Sequence, residues 1–354
     1  MIMTLYDYTG VIHLHSSLSF DGHTPMKRII AAAEKNGIDF IMLTDHDHLK
    51  ARDEGWEGWQ GKTLVIVGEE IAPRFNHYLA FKIKEPLFYP DNPEEENPQR
   101  YIDAVNHQGG FGFIAHPDHE GTDMFHVKHY CWNQWNVSGY AGISVWDFMT
   151  DWQSSLRGYF SGLLSFLFPA HFLKGPRRIT LARWDALNQS RKTVGIGELD
   201  NHATIKKIMG IPFVAFPFDR AFRFIRTHVL TEDKFSGDSG RDMDMIYQAL
   251  LYGRCYFALE YFRKTRGFQY WIQQGEKEFQ MGDCFRFSGD AQLSVSCPEK
   301  AHIRIIRNGR ESMQAVSNRL SIPVKETGVY RVEVSLKSAG KVRPWIFSNP
   351  IFVT

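Results

Sequence analysis

VIHLHSSLSFDGH, residues 11–23, is the stretch of the sequence that decides the fold. It begins as an apolar run in which His13 and His15 are two residues apart. Side chains two apart in an extended strand point to the same face, so both imidazoles can reach one metal ion. The serines and the glycine that follow are typical of a loop, which brings the carboxylate of Asp21 back to the same end of the strand. A lone His-x-His pair is more often a surface or packed pair, so the metal hypothesis depends on the rest of the chain.

Three later apolar runs also end in histidine or acidic residues. They are residues 38–43 followed by TDHDH at 44–48, residues 63–67 followed by GEE at 68–70, and residues 111–115 followed by His116. Thr24 and Pro25 begin a helix between the first two runs, and Gly37 ends it. The order strand, helix, strand predicts a βαβ unit with parallel strands. Parallel barrels bring their carboxyl strand ends together, so the sequence predicts an α/β fold with these polar groups at one site.

Composition and charge limit the class of protein. A chain of 354 residues is long enough for one large core or two domains. The formal net charge of +1 provides no electrostatic reason for binding nucleic acid or an anionic membrane. No secretion signal is recognisable at the start, and the four cysteines are scattered. These features predict a cytoplasmic protein with reduced thiols and no transmembrane segment.

Residues 118–175 interrupt the alternation of strands and helices and predict an aromatic-rich insertion. Within it, residues 159–173 are nearly uncharged, too short to span a bilayer, and interrupted by Pro169. One interpretation is a helical insertion whose apolar face packs on the barrel. The other is a mobile lid that recognises an apolar leaving group or a lipid surface. After the insertion, residues 194–196 form another short strand, and Asp200 and His202 repeat the two-apart spacing of the first pair.

Beyond Arg263 the apolar pattern changes to short alternating strands separated by turns. The Asn308-Gly309 pair is typical of a two-residue hairpin turn. Strands of this kind predict a small antiparallel β-sandwich. We therefore expect two domains, a metal-dependent hydrolase domain over residues 1–263 and a β-sandwich over residues 264–354.

Taken together, the strand-end residues resemble the polymerase and histidinol phosphatase (PHP) superfamily. The matching motifs are HLH with the following DG, TDHD, GEE, HYLAF, AHP and DNH. The resemblance implies a distorted (β/α)7 barrel with two or three metal ions. GVYRVEV at 328–334 and RPWIFSNPI at 343–351 resemble the tail of the CehA/McbA-like branch, which implies a β-sandwich after the barrel. The aromatic region 132–172 matches no part of the pattern.

The resemblance implies nine metal ligands in three groups. These are His13, His15, Glu70 and Asp200 for one metal, Glu70, His77 and His116 for a second, and Asp21, His46 and His202 for a third. The family pattern has its carboxylate two residues after the glycine, which favours Glu70 over Glu69. Zn²⁺, Mn²⁺ and Fe²⁺ all suit such ligands, and the sequence does not choose among them. Neighbouring polar residues are either solvated or orient the imidazoles, namely Asp45, Asp47, His48, Glu69, His119 and Glu198.

The resemblance implies a metal-dependent phosphoesterase that hydrolyses phosphate mono- or diesters through a metal-activated hydroxide. The catalytic candidates are His116, His202 and Asp200; His119 is another proton donor, and Arg74, Arg177 or Arg178 could clamp the phosphate. The substrate would be a small-molecule ester, with an apolar or aromatic group as one option. The alternative is a carbamate or aryl ester hydrolase with the same metal site. A non-catalytic metal-binding module is the third reading, and the filled ligand set argues against it.

Overall fold

The computed structural model describes residues 5–89, 97–122, 127–156, 158–208, 211–338 and 340–354. They form a mixed α/β structure. Its helices are α1 (Met26–Asn36), α2 (Lys50–Asp53), α3 (Pro98–His107), α4 (Phe148–Gln153), α5 (Tyr159–Leu167), α6 (Arg178–Ser190), α7 (Phe218–Ala221) and α8 (Ser239–Tyr252), with a 3₁₀ turn at Pro169–His171. The strands of the first part are β1 (Tyr6–Ile12), β2 (Phe40–Leu43), β3 (Gly58–Gln60), β4 (Thr63–Val67), β5 (Glu69–Ile71), β6 (Tyr78–Phe81), β7 (Phe111–Ile114), β8 (Gly142–Asp147), β9 (Val194–Glu198), β10 (Ile205–Ile208), β11 (Ile211–Val214), β12 (Ile225–Thr231) and β13 (Cys255–Leu259). The later strands are β14 (Gln269–Gln274), β15 (Lys277–Gln280), β16 (Cys284–Phe285), β17 (Ala291–Arg307), β18 (Arg310–Val324), β19 (Gly328–Ser338), β20 (Lys341–Ser348) and β21 (Ile351–Val353).

The first βαβ unit forms as the sequence predicts. β1 pairs with β2 and β2 with β4, both in parallel. Between β1 and β2, α1 follows Pro25 and ends before Gly37. The φ of Gly37 is 64°, the left-handed conformation that favours glycine at a helix end. All residues of β2 and β4 are buried, which is typical of parallel strands covered on both faces.

The described strands do not show a closed barrel of seven parallel strands. β5 to β9 form a separate five-stranded sheet in sequence order, in which β5–β6 and β6–β7 are antiparallel and β7–β8 and β8–β9 are parallel. Two isolated bridges connect this sheet to the first, His46 to Glu70 and Leu14 to Asn201. Asp47, next to the first bridge, has φ 54° and His13, next to the second, has φ 69°. The chain bends at both bridges, and regular strand pairing does not continue from one sheet to the other there.

The segment predicted as an insertion contains a strand of the second sheet. β8 lies inside residues 118–175 and pairs with β7 on one side and β9 on the other. Its burial is complete from Gly142 to Asp147. The prediction failed here because the aromatic residues on both sides hide one short apolar run. The remainder of the segment contains α4 and α5.

The C-terminal strands continue the first sheet. β13 pairs antiparallel with β20, so a 14-stranded sheet runs from β15 through β20, β13, β12 and β1 to β3. A separate β-sandwich is therefore not confirmed. The Asn308-Gly309 hairpin is present between β17 and β18, with φ 50° and 76° as a two-residue turn requires. The division at residue 263 remains a proposal, and the sheet crosses it.

α5 packs through only some of its large apolar side chains: Phe166 packs against the core, with its ring 5.4 Å from those of Phe213 and Phe216. Phe160, Leu163 and Leu167 are exposed, whereas Ser165 is buried. One side of the helix therefore agrees with the interpretation that an apolar face packs on the protein, and the other side differs from it. In the described part of the chain no helix is long and apolar enough to cross a membrane.

A buried ionic network lies where β1, β12 and β13 pair. His228 Nδ1 is 2.6 Å from Asp7 Oδ1, and its Nε2 is 3.3 Å from Glu260 Oε1. Tyr256 donates to Asp7 Oδ2, and Thr265 donates to Glu260. Burial alone would lower the pKa of His228, but Asp7 and Glu260 raise it to about 9. The folded protein therefore holds a proton that the unfolded chain releases above pH 6.5.

We expect the free energy of unfolding to fall as the pH rises from about 6.5 to about 9. Because the folded pKa of His228 is raised, its contribution is complete below the unfolded pKa and disappears above the folded one. The contribution is on the order of 3 kcal/mol. Urea unfolding at several pH values checks it, with His228→Gln as the control. An equal pH dependence in both proteins would contradict the assignment to His228.

Candidate metal centre

The structure brings all nine predicted site residues together at the carboxyl ends of β1, β2, β7 and β9 and around β5. Their donor atoms fall into three groups, each with atoms within 4.8 Å of one another. The groups are His13, His15, Glu70 and Asp200; Glu70, His77 and His116; and His15, Asp21, His46 and His202. The last group includes His15, which the sequence assigned to the first metal alone. Glu70 and His15 each belong to two groups, so the three groups share residues.

The carboxylate of Glu70 is the centre of the site. Its Oε2 atom lies 2.9 Å from His13 Nε2 and 3.2 Å from His15 Nε2. Its Oε1 atom lies 2.8 Å from His77 Nδ1 and 3.1 Å from His116 Nε2. Glu70 is buried, so these imidazoles replace the water that a carboxylate normally requires. A single carboxylate therefore organises four histidines from three different segments.

Asp21 organises the outer part of the site. Its Oδ2 atom lies 3.0 Å from His46 Nε2 and 2.9 Å from His202 Nε2. His46 also approaches Glu70, since its Nδ1 is 3.5 Å from Oε2. The ring of His202 stacks on that of His15 with centroids 4.0 Å apart. This group is the more exposed one, because Asp21 and His202 are partly open to solvent.

Asp200 connects the two parts. Its Oδ1 atom lies 3.4 Å from His13 Nε2 and 3.6 Å from His15 Nε2. His202 Nδ1 is 3.7 Å from the same oxygen. Asp200 thus faces the buried histidines on one side and the outer group on the other.

Backbone geometry turns three of these side chains into the site. His13, His116 and Asp200 have φ of 69°, 23° and 50°, values that residues other than glycine rarely adopt. The sequence predicted His13 inside an extended strand, but β1 ends at Ile12. Because His13 follows the strand in a left-handed conformation, the two histidines do not share a face by strand alternation. Their rings nevertheless lie 5.0 Å apart. Strained backbone of this kind is common at functional sites.

The negative carboxylates and the positive imidazoles of the site stabilise each other's charged forms. Burial would raise the pKa of Glu70, but the charges of His13, His46 and His77 hold it well below its ordinary value. Burial would lower the pKa of His13, but Glu70 and Asp200 raise it well above its ordinary value. The carboxylates are therefore ionised, and they favour cations in the surrounding pocket.

The donor set fits divalent metal ions. Among the described residues, Nδ1 of His15 and Nδ1 of His116 are buried without a hydrogen-bond partner, and Nε2 of His15 and Nδ1 of His46 are near Glu70 without hydrogen-bond geometry. A buried polar atom without a partner is costly, and a coordinated metal satisfies an imidazole nitrogen directly. Mixed imidazole and carboxylate donors suit Zn²⁺, Mn²⁺ and Fe²⁺. The residues present therefore match the predicted kind of site.

Of the neighbouring polar residues, Glu198 contacts the site most directly. Its Oε2 is 2.9 Å from His13 Nδ1, and its Oε1 accepts a hydrogen bond from the backbone N–H of His116. Glu198 therefore orients one imidazole and fixes the backbone of another. The ring of His119 is 5.5 Å from that of His116. Burial first, and the charge of His116 second, lower the pKa of His119 to about 3.

Other predicted neighbours act away from the nine donors. Asp45 accepts hydrogen bonds from the N–H and hydroxyl of Ser16, and so holds the loop after His15. His48 contacts the carbonyl of Leu18. Burial raises the pKa of Asp47 to about 6. These residues shape the loops that carry the site.

Glu69 points to the opposite side of β5 from Glu70. Its carboxylate accepts a hydrogen bond from the N–H of Leu87. Burial raises the pKa of Glu69 to about 8. Alternation along a strand thus separates two adjacent glutamates into different environments.

The arginines considered for phosphate binding are not gathered at the site. Arg74 donates to the carbonyl of His129, and Arg177 donates to the carbonyl of Asp118. Arg178 is exposed at the start of α6. Among the described residues, none of these three arginines forms an ion pair with any of the nine predicted metal ligands. Arg177 nevertheless lines the cleft that His116 and Asp147 line, so a phosphate clamp by this arginine stays a proposal, whereas Arg74 and Arg178 have no such position.

The sequence analysis missed Asp147 at the carboxyl end of β8. Asp147 caps α4 by accepting from the N–H groups of Met149 and Thr150. Burial first, and then the charges of Asp200 and Glu198, raise its pKa well above the ordinary value. A cleft beside His116 is lined in part by Asp147. The available signal was the run GISVW ending in an acid, which repeats the pattern of the other strand ends.

Comparisons with known proteins agree with the family suggested by the motifs over part of the chain. Residues 12–114 match the PHP domain family, a range that contains the predicted site residues from His13 to His77. An uncharacterized protein of Methanocaldococcus jannaschii is 23% identical over 125 residues, which make up 29% of this chain and 67% of that protein.

Two solved structures are similar at low identity. A two-domain protein of Bacteroides vulgatus that contains a predicted PHP-like metal-dependent phosphoesterase is 15% identical, with a TM-score of 0.44 over 97% of this chain and 95% of its own. A candidate metal-dependent phosphoesterase of Bifidobacterium adolescentis is 14% identical, with a TM-score of 0.37 over 58% of this chain and 90% of its own.

Proposed function

We propose that this protein, whose residues 12–114 match the PHP domain, is a metal-dependent phosphoesterase that hydrolyses phosphate mono- or diesters. The observation that carries the proposal is the carboxylate of Glu70 held among buried imidazoles, with Asp21 and Asp200 beside it. Phosphoester hydrolysis develops negative charge on oxygens, and a site of this composition concentrates cations where that charge appears.

Two or three divalent ions, Zn²⁺, Mn²⁺ or Fe²⁺, are proposed to be held by the three donor groups. Bound ions would lower the pKa of a coordinated water to about 7 and would stabilise charge on the phosphoryl oxygens. Glu70 is proposed to belong to two of these sites, because its two oxygens face different histidines. Glu198 holds Nδ1 of His13, which leaves Nε2 of that ring directed at Glu70.

His116, His202 and Asp200 are proposed to act on the substrate. The side chains of Asp200 and His202 are 15% and 21% accessible, whereas that of His116 is 3% accessible. A substrate entering from solvent therefore meets Asp200 and His202 first. If Nε2 of His202 holds a metal together with Asp21, Nδ1 is the atom left to move a proton, and it lies 3.2 Å from the carbonyl oxygen of Asp200.

The wider organisation is part of the same proposal. We assign the catalytic site to a domain of residues 1–263, and the C-terminal residues 264–354 to packing or substrate gating. The relationship to the CehA/McbA-like branch rests on the sequence resemblance of residues 328–334 and 343–351. A cytoplasmic location rests on the four unpaired cysteines. The substrate class is proposed as a small-molecule ester.

A substrate panel tests the function. We expect protein reconstituted with Zn²⁺, Mn²⁺ or Fe²⁺ to hydrolyse an aryl phosphate, a bis-aryl phosphate or both, and to leave a naphthyl carbamate intact. Release of the aryl alcohol is measured by absorbance, with chelator-treated protein as the control. Turnover of the carbamate alone would support the alternative carbamate hydrolase. Bound metal without turnover of any of the three would support a non-catalytic module.

A further inference from the structure

α5 presents three of its large apolar side chains to solvent, while Phe166 packs against the core. Phe160 is 76% exposed, and three other residues are at least half exposed, namely Leu163, Leu167 and Phe168. Phe160, Leu163 and Leu167 are three and four residues apart, so they share one face of the helix. The opposite side packs with small residues: Ser165 is buried, and its carbonyl accepts a hydrogen bond from Trp152. A surface helix of a globular protein normally has the reverse arrangement.

The hairpin of β10 and β11 extends this exposed surface. Ile205 and Val214 are exposed and lie opposite each other in the hairpin. The hairpin contacts α5, because the rings of Phe166 and Phe213 are 5.4 Å apart. It begins three residues after His202, so the surface borders the candidate metal centre. We call this surface the apolar face and define it by Phe160, Leu163, Leu167, Phe168, Ile205 and Val214.

The chain around the apolar face is basic. Between Asp151 and Asp185 the sequence has no acidic residue, and the described basic residues there are Lys174, Arg177, Arg178 and Arg183. Arg177 and Arg183 are paired with Glu120 and Asp118, whereas Lys174 and Arg178 are exposed. Arg220 adds a positive charge where α5 ends, since it donates to the carbonyl of Leu167, and the adjacent acid Asp219 is paired with Lys35. Apolar side chains with a basic border complement the acyl chains and headgroups of an anionic bilayer.

We propose that the apolar face seats this protein on an anionic phospholipid bilayer, with the candidate metal centre beside the interface. The small net charge of the whole chain does not oppose this, because electrostatic attraction acts within about 8–10 Å at physiological salt. A second copy of the chain is a poorer occupant, since its basic border would meet an identical one. Exposed apolar patches of this kind otherwise promote aggregation.

Vesicle cosedimentation tests the proposal. We expect the metal-loaded protein to sediment with vesicles of phosphatidylcholine and phosphatidylglycerol, more weakly with phosphatidylcholine alone, and more weakly at high salt. Phe160→Ser with Leu163→Ser should reduce binding to the anionic vesicles by about tenfold or more, since each side chain loses its burial in the bilayer. Lys174→Glu with Arg178→Glu should also reduce binding, and this second pair leaves the apolar residues in place.

The matched control is Val316→Ser with Val342→Ser, two exposed valines on the C-terminal strands. This pair should bind like the wild type, and circular dichroism should show all variants folded. Failure of the wild type to bind either vesicle would overturn the proposal. So would equal binding by the Phe160 and Leu163 variant. A wild-type dimer in solution that this variant dissociates, without vesicle binding, would identify the face as a self-association surface instead.

Discussion

Glu70→Gln is expected to lower kcat/KM for phosphoester hydrolysis by on the order of a thousandfold and to remove most of the bound metal. The substitution keeps the size of the side chain but removes the charge that faces His13, His15, His77 and His116. A loss of about 4 kcal/mol of charge stabilisation corresponds to that factor. Metal content by mass spectrometry and turnover of an aryl phosphate are the two measurements.

Glu69→Gln is the matched control for this prediction. The two glutamates are adjacent on β5, and both are buried. Glu69 lies on the other side of the strand, and its pKa of about 8 means that the native side chain is mostly neutral at pH 7. Glutamine should therefore replace it with little effect on metal content or turnover. Equal losses in both variants would show that strand packing, rather than metal binding, explains the Glu70 result.

Arg331→Met is expected to destabilise the protein by about 3–5 kcal/mol. Arg331 lies on β19, and its guanidinium holds both oxygens of Asp185 on α6, at 2.6 and 2.8 Å. It also donates to Glu333 at 2.6 Å. All three side chains are buried, so the substitution leaves Asp185 without its counter-charge and Glu333 with the partly exposed Arg304 alone. Urea unfolding followed by circular dichroism measures the change.

Arg304→Met is the control, because Arg304 contacts the same Glu333 from a position that is 35% exposed. A pair at that exposure is worth less than about 1 kcal/mol. Arg331→Lys keeps the charge but loses the bidentate contact with Asp185. Its destabilisation should lie between those of Arg331→Met and Arg304→Met. If Arg331→Met and Arg304→Met destabilised the protein equally, the bridge between α6 and β19 would not be a major source of stability.

Several features could be predicted from the sequence because short-range interactions determine them. Pro25 and Gly37 delimit α1, and Asn97 caps α3 with its own side chain. The turn at Asn308 and Gly309 forms because those two residues tolerate positive φ. The order of the nine predicted metal ligands along the chain could also be read from the sequence. Each donor follows or flanks a short apolar run, and such runs pair into a sheet whose ends meet.

The arrangement of those donors depended on contacts between distant segments. The sequence could not show that His13 leaves the strand in a left-handed conformation, or that Glu198 holds its ring. The strand that carries Asp147 had a signal in the run GISVW followed by an acid, but the aromatic residues on both sides of the run obscured it. Such positions depend on sheet pairing across many residues, which local patterns do not encode.

The sequence by itself determined the kinds of side chain available for chemistry, their order, and the helix ends and turns around them. The tertiary structure alone decided which oxygen faces which imidazole, how β13 joins β20 to carry the sheet into the C-terminal strands, and which side of α5 meets water. The physical reason is the range of the forces involved. Caps and turns are settled by neighbours in the chain, whereas burial and strand pairing are settled by the whole packed protein.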